Sequence, residues 1–417
     1  MARPRTGRRV RPKYRDMVNG RHFHRFMDEV LPVGRREEVA ERADYDWHAH
    51  KLTFEKHFKA QVLRHFKGGS LNTMVYDMGH DPLYAAHGAK LEITAAGLSK
   101  AHARRPIEPY LNLLDDVLRR LAQRSAREKV LRDFDAVTLK SITHLLEQTR
   151  IFDATTLELP SKIARWAQTG KQSAGIKVQL RLAGGYGGLD RILLTPKPGN
   201  DSPYFLNLLD LKPEAGHIYL FDAGYFDLTT YQDIFDTGNH FVTVLHDNIQ
   251  VEILVEQAVP EGRLANGYTV HHDWQVYIGS GKNRQPDVFR LLEVTDSRGK
   301  RLRLLTDRLT WTAEQVCQLN MYRWTVETVF RWLKSQLAID QFISYSPNGV
   351  QMQVLVALIV YGLLVLYHEG GPLSLIRILR KVRVDLHQAL YDLAYQQALR
   401  DAQAQLADQA PSPLPIS

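Results

Sequence analysis

An α/β fold flanked by helices is predicted for this 417-residue chain, and three observations predict it. Apolar residues recur at helical spacing from 26 to about 130, as in Leu111, Leu114, Val117, Leu118 and Leu121. From 149 to 248, short β-branched and aromatic runs alternate with helical ones. After a second β-rich stretch the helical periodicity returns at about 313. A chain this long buries a large core and divides into two or three domains. With 44% hydrophobic and 24% charged residues, global disorder is excluded.

The first 25 residues hold nine Lys/Arg, among them Arg8, Arg9 and Arg11, against the single acid Asp16, a surplus equal to the net charge of +8 of the whole chain. A basic arm on a neutral body suits phosphates, because each bound cation releases counterions. No apolar stretch follows the arginines, which argues against a secretory signal. Residues 26–135 are expected to form a helical DNA-binding domain. Within it FEKHFKAQVLRHF at 54–66 is either a DNA-facing helix or an amphipathic one.

The next segment, 136–248, carries the informative order. RIFDATTLEL, GIKVQLRLA and DRILLTPKP read as three hairpin-compatible strands, followed by a helix near 203–211, the strand HIYLFD, a helix near 228–236 and the strand HFVTVLH. That is the order of a ribonuclease H-like sheet. Phe241, Val242, Val244 and Leu245 suit a strand covered on both faces. The stretch 249–310 reads as a β-rich insertion, since a structureless loop of that length is uncommon. Thr312 is the expected N-cap of one long helix from 313 to about 338, within a unit at 311–345 that completes the core. A helical C-terminal segment at 346–400 and a disordered Ala/Gln/Pro-rich tail at 401–417 follow.

Cys317 is the only cysteine, so no internal disulfide and no thiolate zinc cluster is possible. The chain reads as cytoplasmic. The apolar run from Val354 to Tyr367 is shorter than the ~20 residues a bilayer requires, and is expected as a buried core helix rather than a membrane span. No Walker loop, zinc-protease motif or dinucleotide fingerprint occurs, so no organic cofactor is expected.

Phosphodiester chemistry needs stabilisation of charge on attacking and leaving oxygens, which two divalent ions supply when a few carboxylates meet. Asp153 follows the apolar start of the first strand and Asp222 ends the fourth, so adjacent strands would bring them to one edge. On the helix YRWTVETVFRWLK, Arg323, Glu327, Arg331 and Lys334 lie within about 40° of one direction, while Val326, Val329, Phe330, Leu333 and Leu337 face elsewhere. Taken alone, each Asp is equally a turn former and the polar stripe a surface ion-pair ladder.

IFDATTLELP, FDAGYFDL and YRWTVETVFRWLK together resemble the catalytic blocks of DDE transposases of the insertion-sequence-4 family, most nearly its 231-type group, over roughly residues 140–365. The resemblance implies that Asp153, Asp222 and Glu327 are the catalytic acids and metal ligands, holding two Mg²⁺ or Mn²⁺ ions. It also implies that Arg323 and Lys334 bind transposon-end phosphates, with Arg331 beside them. Trp324 corresponds to an aromatic near the distorted DNA end, for which base stacking and core packing are equally open. The family's signature Tyr falls on Asn320, and Tyr322 lies too far around the helix to replace it. Lys177, Asp201 and Tyr225 are held as second-rank contacts.

The expected activity is DNA transposition by a homodimer that cuts terminal inverted repeats in double-stranded DNA and joins them to a target. A catalytically inactive DNA-binding repressor, or a nuclease of the same fold, are the alternatives.

Overall fold

The computed structural model describes residues 22–47, 51–123, 140–170, 173–184, 188–196, 201–212, 216–368 and 374–408. Arg8, Arg9 and Arg11 lie outside the described residues, as does most of the basic arm.

The first half is helical: α1 Phe23–Val30, α2 Val33–Arg42, α3 Phe54–Lys67, α4 Leu71–His80, α5 Pro82–Ala86, α6 Ala95–Arg104 and α7 Glu108–Ala122. Side-chain caps fix several starts, with Thr53, Ser70, Asp81 and Thr94 each accepting a backbone N–H of the first turn. The run 54–66 forms α3, whose residues from His57 onward are almost all buried. Three of its four Lys/Arg are spent internally. Lys59 pairs with Glu55, Arg64 donates to the Gln341 carbonyl, and Lys67 holds Asp77 and Asp81. This helix is therefore largely a core element, with Glu55, Lys56 and Lys59 part-buried and Lys67 exposed.

Among the described residues the chain then builds ten strands: β1 Thr149–Leu159, β2 Gln168–Gly170, β3 Ser173–Ala183, β4 Gly188–Pro196, β5 Ile218–Phe221, β6 His240–Val244, β7 Val251–Glu256, β8 Thr269–Ile278, β9 Phe289–Thr295 and β10 Arg301–Thr306. They join in one sheet of order β2-β3-β1-β5-β6-β10-β9-β8-β7, with β4 also paired to β3. The pairs β1–β5 and β5–β6 are parallel, which requires crossovers; α8 Phe205–Leu208 lies before β5 and α9 Leu228–Asp236 between β5 and β6. The helix expected at 203–211 is short because Leu209 is already extended.

Residues 249–310 prolong this same sheet and form no layer of their own. β10 pairs with β6, Leu304 opposite Val244, so the edge that β6 would leave open is satisfied by backbone from this stretch. An Arg290–Asp273 pair, bidentate and almost wholly buried, ties β8 to β9, and Arg290 also reaches the Trp311 carbonyl.

Around β1, β5 and β6 the sheet is covered on both faces, whereas the edge strand β7 is mostly exposed. Phe152, Phe205, Tyr219, Phe221, Tyr231 and Phe241 pack together on one face. On the other, Ile151, Leu220 and Val242 join a larger core that includes the C-terminal helices. Strand β6 shows the consequence, since Phe241 and Val242 enter opposite cores, as the continuous apolar run predicts.

Four helices end the chain: α10 Ala313–Arg323, α11 Thr325–Leu337, α12 Pro347–Tyr367 and α13 Leu375–Asp408. Thr312 does cap α10, in a reciprocal capping box with Gln315. The single helix expected over 313–338 is broken, however. At Trp324 the backbone N–H turns to the Met321 carbonyl, three residues back, and α11 restarts at Thr325. Helix α12 is longer than its apolar run; by length and composition it would span a membrane, yet it is buried within the protein. Helix α13 continues to Asp408, past position 401 where the tail was expected, because Ala and Gln are good helix formers. Residues 409–417 lie outside the described residues.

Candidate active site

Asp153 and Asp222 are brought level by strand register. In the parallel β1–β5 pair Ile151 stands opposite Leu220, and one residue further Phe152 stacks on Phe221 with ring centroids 5.2 Å apart. One step more reaches Asp153 and Asp222. Since side chains alternate, both acids leave the sheet on the face opposite the phenylalanines, the face of Ile151 and Leu220 against which α11 packs.

Each acid is locally fixed. The Ala154 N–H donates to Asp153 Oδ1 at 2.7 Å. Asp222 ends a four-residue strand that is wholly buried and caps the following turn, its Oδ1 accepting the Gly224 N–H at 2.9 Å. The turn is held from outside by His246, whose Nε2 donates to the Ala223 carbonyl at 2.8 Å. Gly224 suits a close approach: a Cβ there would stand 3.0 Å from Asp222 Oδ1 and 3.4 Å from Asp201 Oδ2, so both carboxylates would have to give way slightly. Asp201 is itself held by Lys177 of β3 at 2.8 Å. Tyr225 is buried, and its hydroxyl donates to Gln179 Oε1 at 3.4 Å. Asp201 and Lys177 thus form an ion pair beside Asp222, while Tyr225 belongs to the core beneath it.

Glu327 lies in the first turn of α11, where the helix dipole favours a negative charge. Its side chain is 32% exposed, so it faces solvent and is not sealed in the apolar interior. Between Glu327 and Asp153 stands Arg323, its Nη1 3.7 Å from Glu327 Oε1 and 3.8 Å from Asp153 Oδ2. The two carboxylates are therefore separated by no more than the sum of those distances. Arg323 is buried, 9% exposed at the side chain, and its Nε has no hydrogen-bond partner. It serves the acids as their shared counter-charge and is not displayed on the surface.

The electrostatics agree with this convergence. Burial first, and the Asp222 charge second, push Asp153 up to about 7. Burial also raises Glu327; Arg323 opposes the shift, Asp222 adds to it, and Arg298 and Arg331 ease it. Even so, among the described residues no three His, Cys, Asp or Glu side chains stand close enough to hold a metal ion as they are. The expected three-acid metal cage is thus not closed, because the Arg323 guanidinium lies between two of its members.

The remaining expected residues divide. Lys334 reaches β1, donating to the Thr156 carbonyl at 3.4 Å, and Arg331 is exposed on the same helix. Trp324, at the break between α10 and α11, is half-buried, with the Arg298 guanidinium 4.4 Å from its ring centroid and Arg323 at 5.7 Å. Asn320 is buried and donates to the Tyr268 hydroxyl at 3.1 Å, and Tyr322 is buried with its hydroxyl on the Gly184 carbonyl. Arg298 was missed by sequence reasoning. Its only signal is a Ser-Arg-Gly-Lys turn, and nothing in the order of residues says that this turn folds over Trp324.

An α/β sheet that presents acids on one face beneath an arginine-bearing helix defines a carboxylate-centred site. Residues 144–363 match the Transposase DDE domain, more than half of the chain, and the chain belongs to this DDE transposase family, of the insertion-sequence-4-like type. Among similar proteins, y4zB of Sinorhizobium fredii, named as a transposase, is 26% identical over 282 residues, covering 64% of this chain and 69% of that one. A protein of Geobacillus stearothermophilus named for the transposase of insertion sequence element IS5377 is 24% identical, over 52% of this chain and 55% of its own length. One of a Synechocystis species, named for the transposase of IS4SA, is 23% identical over 49% and 56%. The chain spans little more than half the length of the latter two. A solved piggyBac transposase synaptic complex with hairpin DNA aligns over 95% of this chain and 87% of its own, with a TM-score of 0.45 and 9% identity.

Proposed function

We propose that this protein is a DNA transposase that cuts an insertion sequence at its terminal inverted repeats and joins the freed ends to target DNA. The observation that carries the reading is that Asp153 and Glu327 flank Arg323 while the charge of Asp222 acts on both, in a chain of this family. The core would be a ribonuclease H-like sheet, with the helices of residues 22–122 reading the element ends and a second copy completing a homodimer on double-stranded DNA.

The donor set fits a hard divalent ion in its chemistry. It consists of carboxylate oxygens, and burial, with the Asp222 charge second, holds Asp153 near 7. Asp153, Asp222 and Glu327 would hold Mg²⁺ or Mn²⁺, two ions in all, and the bound ions would supply the charge that stabilises the attacking and leaving oxygens. The protein's own groups do the rest. The Gly224 N–H and the Ala154 N–H orient the two aspartates, Arg323 screens their repulsion from Glu327, and Lys334 and Arg331 offer cations to the approaching backbone.

Incubating the purified chain with a labelled duplex carrying the sequence that flanks its reading frame, with Mg²⁺ or Mn²⁺, tests this. Joined products support transposition. Cuts without joining indicate a nuclease of the same fold, and binding without cuts a repressor. Asp153→Asn, Asp222→Asn and Glu327→Gln should each abolish cutting while leaving duplex binding in place.

A further inference from the structure

The turn between β9 and β10 is built rigidly. Asp296 Oδ1 accepts the backbone N–H groups of Arg298 and Lys300 at 2.9 and 2.8 Å, the Asp296 N–H donates to the Lys300 carbonyl, and Gly299 takes the left-handed conformation the turn needs at φ +85°. Arg298 is exposed, yet its guanidinium lies over a ring of the catalytic segment, 4.4 Å from the Trp324 centroid. Among the described residues Arg298 has no carboxylate partner at ion-pair distance. A stacked arginine without an acid is a cation held ready for an anion, since stacking leaves its five donors free at the guanidinium edge and reduces the rotamer freedom lost on binding.

We propose that Arg298, stacked on Trp324, is a phosphate-binding residue that grips the DNA backbone beside Glu327, so that residues 249–310 contribute a contact to the active site. The inference rests on the DNA reading above. It gives Trp324 the role of a platform for Arg298, because that face of the indole is covered by the guanidinium. A cation here also offsets the repulsion between an incoming phosphodiester and the three acids, which is strongest where Glu327 meets solvent.

The test is duplex binding by the full chain over a series of salt concentrations, with Arg298→Ala, Arg298→Lys and Trp324→Ala beside the unaltered protein, and thermal unfolding measured for each. One phosphate contact contributes ~0.9 to the slope of log affinity against log salt. Arg298→Ala should lower the slope by about that much, a loss of roughly eightfold in affinity at 0.1 M relative to 1 M salt. Arg298→Lys should keep the slope while binding more weakly, and Trp324→Ala combined with Arg298→Ala should cost no more than Arg298→Ala alone. An unchanged slope in a stably folded Arg298→Ala protein, with the unaltered chain binding normally, overturns the inference and leaves Arg298 as a strap on Trp324. Failure of the unaltered chain to bind any duplex overturns the DNA reading itself.

Discussion

Removing the charge of Asp153 should stabilise the metal-free protein at and above neutral pH. Burial, and then Asp222, push this carboxyl from 3.8 up to about 7. Between those two values the folded chain binds more protons than the unfolded one, so stability is lost as pH rises through the window. At 1.36 kcal/mol per unit, the full shift costs about 4 kcal/mol once pH exceeds 7, and about 3 kcal/mol of that falls between pH 5 and 8. The Asp153→Asn side chain keeps an oxygen for the Ala154 N–H and carries no charge at any of these pH values. Its advantage over the unaltered protein should therefore grow by about 3 kcal/mol from pH 5 to 8, or roughly 6 °C in Tm for a large domain. Thermal unfolding of both proteins in EDTA, at unit steps of pH, reads this directly. Glu327 and the buried histidines titrate in both proteins and largely cancel in the difference. Parallel Tm curves over this range would refute the claim that burial and Asp222 act on Asp153 as the geometry says.

Other consequences test the frame around the site. Asp273→Ala leaves the Arg290 guanidinium buried and unpaired, which should cost about 3 to 5 kcal/mol in denaturant unfolding, whereas joint replacement of both residues by leucine should be markedly milder. Gly362 of α12 lies against α7, and an added Cβ would meet Val117 Cγ1 at 2.4 Å, so Gly362→Ala should lose about 1 to 3 kcal/mol, with partial recovery on adding Val117→Ala. Tyr268→Phe removes the acceptor of the buried Asn320 amide and should cost about 1 to 3 kcal/mol; a neutral result would mean that Asn320 finds another partner.

Local order was legible where side-chain pattern and backbone need coincide. The alternation and apolar runs at 149–159, 218–221 and 240–244 locate β1, β5 and β6, and the Thr312 signal locates the start of α10. The three acids were legible because Asp153 follows an apolar strand start, Asp222 follows the apolar run of β5, and Glu327 lies on the polar stripe of a helix whose other positions are apolar. The break at Trp324 was not, since YRWTVETVF contains no Gly or Pro and its helical preference is continuous. Nor was the fate of the basic residues in α3, whose partners Asp77, Asp81 and Gln341 are remote in sequence.

By itself, the order of residues determined the element types, the placement of two acids on or just after core strands and of the third on a polar helix stripe, and the motifs that relate the chain to its family, because periodicity and capping act over a few residues. Only the tertiary structure decided that β7–β10 extend the sheet, that Arg323 lies between Asp153 and Glu327, and that Arg298 covers Trp324. Those outcomes depend on which backbone edges remain open and which charges are left to neutralise once the cores have closed, and such quantities belong to the packed chain and to no local window of it.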